Sequence, residues 1–156
     1  MIKIWKNTTL AIFLSLALLS PSIMVGTANG QTETANLDAQ ARQALDRFFA
    51  AVMSGESGNV DAVLAPEFQI QRANGSRYNA GSYPNSHLPV IAKMPSVERL
   101  RVTSGDDIIV TSYVIKVDET LDGAVVQAIA PRLTVFRKIG EDWQVVSHGN
   151  FAPIVR

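Results

Sequence analysis

Ala130-Pro131-Arg132-Leu133-Thr134-Val135-Phe136-Arg137-Lys138-Ile139-Gly140-Glu141-Asp142-Trp143-Gln144-Val145-Val146-Ser147-His148-Gly149-Asn150-Phe151 is the stretch that decides the fold. Both flanks alternate with a period of two around the turn residues Lys138 to Asp142, which predicts a β-hairpin. With the turn centred near Gly140, antiparallel pairing sets Arg132 opposite His148, Thr134 opposite Val146 and Ala130 opposite Asn150. Leu133, Val135, Val145 and Phe151 then share the other face. On this reading the oily face holds the sheet on its helices. The polar face is where a ligand site would be built.

Working outward, residues 97–103, 107–117 and 124–136 read as three strands, and 143–151 as the fourth, with a hairpin tip at 118–123. Upstream, Leu37, Ala41, Ala44, Leu45, Phe48, Phe49 and Val52 recur at three- and four-residue spacing, one face of a long amphipathic helix ended by Ser54-Gly55-Glu56-Ser57-Gly58. A short second helix is expected over 60–64, stopping at Pro66 because the residue before a proline is pushed out of helical geometry. Phe68-Gln69-Ile70-Gln71 reads as a brief strand, and Asn74-Gly75 as a turn. Residues 78–95, broken by Gly81, Pro84, Pro89 and Pro95, read as a loop with a short helix that could cap a cavity. The expected class is α+β, a cone-shaped fold with N-terminal helices packed in a curved antiparallel sheet.

The front of the chain speaks to compartment. Lys3 and Lys6 precede the apolar run Leu10 to Leu19, and Ala28-Asn29-Gly30 supplies small residues where a signal peptidase cuts. An apolar run of ten residues is too short to span ~30 Å of hydrocarbon, and Pro21 follows it. The expectation is a signal peptide over 1–30 and a single mature domain over 31–156, periplasmic or secreted, with no membrane attachment after cleavage. The 156-residue chain has no cysteine, hence no lipoprotein anchor and no disulfide framework. Without the leader, twelve basic residues face fourteen acidic ones, for a net charge of about −2. No basic stripe remains to hold a phosphate backbone, which argues against nucleic acid.

The order helix, Gly-rich break, short helix ending in Ala65-Pro66-Glu67-Phe68, and closing hairpin resembles the nuclear-transport-factor-2-like superfamily, close to its SnoaL-like and function-unknown bacterial branches. The resemblance covers about residues 38–153. It implies a cystatin-like cone, a pocket inside it and, by analogy, a homodimer. Similar ketosteroid isomerases pair a carboxylate base with a Tyr and a protonated Asp at the oxyanion. At the matching positions this chain has Arg72 for the base, Phe48 for the Tyr, and Arg132 and Thr134 for the acid. An arginine is always charged near neutral pH and cannot be that base. Dehydratase- or hydrolase-type relatives need a His–Asp or Asp–Arg–Asp set, and no Asp lies on the polar face of the last two strands.

The candidate ligand contacts are therefore Arg132, His148, Asn150 and Tyr113, with His148 and Arg132 the candidates for any catalysis. A neutral imidazole can take a proton and a guanidinium can hold a carboxylate in two parallel hydrogen bonds, but the same pair could simply fix the sheet. Tyr113 shares parity with Ile109 and Ile115, so its ring should be buried, with its hydroxyl satisfied at a cavity. His87 sits in a Pro-rich loop and reads as a surface histidine. The tip with Asp118, Glu119 and Asp122 lacks the oxygen spacing of a calcium loop and reads as a solvated turn. Trp143 should anchor the sheet on the first helix. No catalytic triad, phosphate-cradling glycine loop or paired-His motif is present, so neither a cofactor nor a metal is expected. The expected function is an exported domain binding a small, partly apolar molecule. The alternatives are a lyase or isomerase with His148 as base, and a non-catalytic association module.

Overall fold

A computed structural model describes residues 26–121 and 123–152. Helix α1 (Gly26–Ser54) presents the predicted apolar stripe to the sheet, with Ala41, Leu45, Phe48, Phe49 and Val52 all buried. It ends at Gly55, whose φ of +68° is left-handed backbone that a glycine adopts at no steric cost. The helix already includes residues 26–30, whereas 1–25 of the expected leader lie outside the described residues. Among the described residues no helix is long and apolar enough to cross a membrane.

The second helix is as short as expected but begins three residues earlier: α2 (Ser57–Asp61) is little more than one turn, and Leu64 already opens β1 (Leu64–Gln71). Pro66 therefore sits inside a strand, which is possible because the ladder to its neighbour is irregular between Leu64 and Gln69, where a missing N–H costs nothing. Strands β2 (Arg77–Asn79) and β3 (Val90–Ile91) occupy the proline-rich stretch, and no helix forms there. The capping role survives without one, because Tyr83, Pro89, Ile91, Lys93 and Pro95 line the cavity described below.

Strands β4 (Val97–Gly105), β5 (Ile108–Leu121), β6 (Ala124–Ile139) and β7 (Asp142–Asn150) form the predicted antiparallel meander. The ladder runs well into the expected six-residue tip, as far as the pair Leu121 and Ala124; Gly123 has a φ of +81°, and Asp122 lies outside the described residues. The sheet is mixed rather than wholly antiparallel, because β1 runs parallel to β7. Its order is β2-β1-β7-β6-β5-β3, with β4 sharing the β5 edge. One core cluster joins α1 to the inner face through Leu45, Phe48, Phe49, Ile70, Ile109, Phe136 and Val145.

The decisive hairpin forms with a different register. Ile139 pairs with Asp142 around a tight Gly140-Glu141 turn, one residue out from the expected centre. Val146 then bulges: Phe136 pairs with Val145 but Val135 pairs with Ser147. The bulge restores parity, so Thr134 faces His148 and Arg132 faces Asn150, a shift of two residues from the expected pairs. The expected separation of an oily and a polar face does not hold either. Arg132, Thr134 and His148 are buried on the inner face with Phe136 and Val145, while Leu133 is 37% exposed on the outer face and Phe151, past the end of β7, is 50% exposed at the cavity. Period two cannot register a bulge, and it therefore put Val145 and Phe136 on opposite sides.

Candidate functional site

The inner face of β6 and β7 changes character along its length. Past Phe136 it meets Thr134, Arg132 and, across the ladder, His148 and Asn150, at the end of a cavity of about 230 Å³. Phe48, Phe49 and Val52 of α1, Ile70 of β1, Ile115 of β5 and Ala130 of β6 make its walls apolar. Liquid water occupies ~30 Å³ per molecule, so the cavity holds a ligand the size of one aromatic ring with a small polar group. It is smaller than the ~300–1,000 Å³ of drug-sized sites.

Its charge is one-sided. Arg132 and Arg72 are only 7% and 6% exposed, Lys93 and Lys116 stand at the rim, and among the described residues Asp118 is the one acidic residue in the lining. Arg132 donates from Nη1 to the Pro131 carbonyl at 2.8 Å. Arg72 donates to the His87 carbonyl at 2.9 Å, and its guanidinium lies 4.9 Å from the Tyr78 ring centroid and 5.8 Å from that of Tyr83. Such cation–π contacts offset part of the cost of desolvating a charge. Among the described residues no carboxylate pairs with Arg72, whereas Arg47 pairs with Asp142 and Arg137 with Glu67 on the surface.

His148 is wedged edge-on against Phe48, centroids 5.0 Å apart. Its Nδ1 lies 2.8 Å from Thr134 Oγ1, which lies 2.9 Å from the Tyr113 hydroxyl. Thr111 donates to the Thr134 carbonyl at 2.9 Å and fixes that backbone. Burial, then the Arg132 charge, drive the His148 pKa down to about 3, against a weaker upward pull from the Asn150 side chain. The ring is therefore neutral at any ordinary pH. Burial pushes the Tyr113 phenol well above its usual range, partly opposed by the Thr134 hydrogen bond and Arg132, so it stays protonated. Asn150 Oδ1 is buried with no aligned hydrogen-bond partner.

Of the residues singled out in the sequence, Arg132, His148 and Asn150 meet at the cavity. Tyr113 does not line it: its hydroxyl is satisfied by Thr134 and not by the cavity. His87 is exposed and contributes a backbone carbonyl. Trp143 does touch α1, donating to Gln40 at 3.3 Å, but it is only partly buried. The missed residues are Thr134 and Arg72 as members of the site. Arg72 follows Phe68 and Ile70 at period two, and all three are buried, so extending that alternation by one step would have found it. Among the described residues no group of three His, Cys, Asp or Glu side chains could hold a metal.

The sequence matches no family model and no curated protein. Solved structures do match. A protein provisionally assigned as a Ca/calmodulin-dependent kinase II association domain from Exiguobacterium sibiricum is 13% identical, covering 76% of this chain and 94% of its own, with a TM-score of 0.65. A provisional dehydratase of the nuclear-transport-factor-2-like family from Streptomyces avermitilis is also 13% identical, covering 80% and 99%, at 0.62. A nuclear-transport-factor-2-like protein with a cystatin-like fold from Novosphingobium aromaticivorans is 10% identical over 79% and 86%, at 0.58. These likenesses agree with the helix cradled by a curved sheet and with the hairpin that closes it: the chain has the nuclear-transport-factor-2-like fold.

Proposed function

We propose that this protein is an exported small-molecule-binding domain of SnoaL-like type, whose pocket inside the cone takes a small, partly apolar anion. The observation that carries the reading is the pair of buried guanidiniums, Arg132 and Arg72, at a cavity whose walls are largely apolar. A carboxylate set between them gains charge-assisted hydrogen bonds in a desolvated site, while an aromatic or branched body fills the space against Phe48 and Ile70. Neighbours in the fold include a provisional dehydratase and a provisional ketosteroid isomerase. A lyase or isomerase reading with His148 as base is the weaker one here, because a ring with a pKa of about 3 is a poor base near neutrality. Removal of residues 1–30 would deliver the mature domain to the periplasm or exterior. Leu133 and Ile129, each 37% exposed on the outer sheet face, suit a homodimer contact, and the association-domain neighbour fits that reading.

The test is calorimetric titration with benzoate, cinnamate and octanoate, alongside the corresponding alcohols. At least one acid should bind and its alcohol should not. Arg132→Leu should weaken that acid ten- to a hundredfold, about 1.5–3 kcal/mol, with no loss of thermal stability. Silence from all three acids, together with native mass spectrometry that finds no retained small molecule, would remove the reading.

A further inference from the structure

We propose that Thr134 and Tyr113 are positioning residues that hold His148 as the neutral tautomer protonated on Nε2. The polar end of the cavity then offers a fixed N–H donor beside the Arg132 guanidinium and selects a ligand that presents an acceptor oxygen there. The ligand half of this inference rests on the anion-binding reading above; the tautomer half does not.

The argument follows the protons. Tyr113 is 3% exposed, and among the described residues its hydroxyl has Thr134 Oγ1, at 2.9 Å, as its hydrogen-bond partner. A phenol has one proton and must place it somewhere. If Tyr113 donates to Thr134, the threonine proton is left for His148 Nδ1 at 2.8 Å, and that nitrogen has to be a bare acceptor. The reverse order, Nδ1–H to Thr134 and Thr134 to Tyr113, strands the phenol proton in a buried site, where an unmade hydrogen bond is expensive. The forward order satisfies every proton in the chain. Nε2 then carries the ring's hydrogen.

The surroundings agree. Asn150 Oδ1, which can only accept, is buried beside the ring without an aligned donor of its own. The titratable and charged groups that meet the imidazole are Arg132 on β6 and Tyr113 on β5, through Thr134; Arg72 after β1, Lys93, and Lys116 and Asp118 on β5 line the same cavity. Phe48 from α1 and Ile70 on β1, the latter paired with His148, are apolar. Arg132 and burial disfavour a charged ring, Phe48 and Ile70 offer it no carboxylate, and the Asn150 side chain pulls only weakly the other way. A ligand carboxylate would thus meet two kinds of donor, the guanidinium and Nε2–H, in a fixed arrangement that it need not reorganise.

Long-range proton–nitrogen correlation spectra of protein labelled with ¹⁵N-histidine read the tautomer directly and need no ligand. His148 should show one bare and one protonated ring nitrogen, Nδ1 and Nε2 respectively, unchanged from pH 8 to pH 5. Thr134→Ser should keep that pattern, whereas Thr134→Val and Tyr113→Phe should mix the two tautomers. An Nδ1–H pattern in the unaltered protein, a charged ring at pH 6, or an unmixed pattern in both variants would overturn the assignment. If Thr134→Val does not fold, the unaltered protein, Thr134→Ser and Tyr113→Phe still decide it. Benzoate is the probe for the second half. It should bind at least tenfold more tightly than benzylammonium, and lose about tenfold in Thr134→Val but not in Thr134→Ser. An Nε2–H ring in a protein that binds no carboxylate defeats the anion reading alone; an Nδ1–H ring in a protein that binds benzoate defeats the tautomer alone.

Discussion

Phe136 and Arg132 stand four residues apart on the same inner face of one strand, and they occupy different surroundings. Around Phe136 the interior is closed, with Leu45, Val60, Ile109 and Val145 all 1% exposed or less. Around Arg132 the same sheet face carries a guanidinium, two hydroxyls and an imidazole, and opens on a cavity. The closed end holds the fold, since burial of apolar surface is the term that offsets chain entropy. The open end instead gives its interior positions to polar groups held in hydrogen bonds, with Arg132 and His148 lining the cavity. One strand thus divides the work between holding and receiving.

The sharpest way to break that division is at its closed end. Phe136→Ala should cost ~3–5 kcal/mol, a large share of a small domain's stability, and denaturant melting would read it. A shift under ~1 kcal/mol would mean that the closed end does not carry the fold.

The open end should show itself in pH. The ordinary histidine value of 6.5 falls to about 3 in the folded chain. Between those values the unfolded chain binds a proton that the folded one refuses, so the unfolded state holds more protons and is favoured as pH falls. Stability from this residue is full above pH 6.5 and declines below it by about 1.4 kcal/mol per unit, until the folded ring also titrates near pH 3. Chemical denaturation at pH 6.5 and 4.5 should differ by about 2 kcal/mol more in the unaltered protein than in His148→Gln. Equal differences would show that the ring is not held neutral.

Trp143 lies outside both ends, and its half-burial against Gln40 makes it a lesser anchor than its size suggests. Trp143→Ala should cost about 2 kcal/mol, roughly half the loss expected for a fully buried aromatic. A Tm drop as large as that of Phe136→Ala would extend the closed end to the hairpin turn. Smallest is the surface pair Arg137 and Glu67, 2.7 Å apart and each more than a third exposed. Arg137→Gln should change stability by at most ~0.5 kcal/mol, shrinking further in salt.

The helix stripe, the order of the strands and the membership of Arg132, His148 and Asn150 at one site were legible, because period and parity carry them. The facing was not. A turn one residue out of register would have sent His148 outward, and only the bulge at Val146 brought it back. Nothing in Val145-Val146-Ser147 marks the bulged residue, since valine suits a regular ladder equally well. The Pro66 strand was hidden for a related reason: a proline is excluded from a regular ladder, and the ladder there is irregular. Arg72 was passed over because the alternation of β1 was stopped one step short.

The bulge at Val146 also bears on how this site can change over generations. Losing one codon between Trp143 and His148 would straighten the strand while leaving Val135 opposite Ser147 and Thr134 opposite His148, so the imidazole would keep its address. Losing two would turn it out of the cavity. The gene therefore has one spare position in that interval. Proteins of this fold that differ by a single residue there can carry the same histidine into the same cavity, although an ungapped alignment would place it one position away.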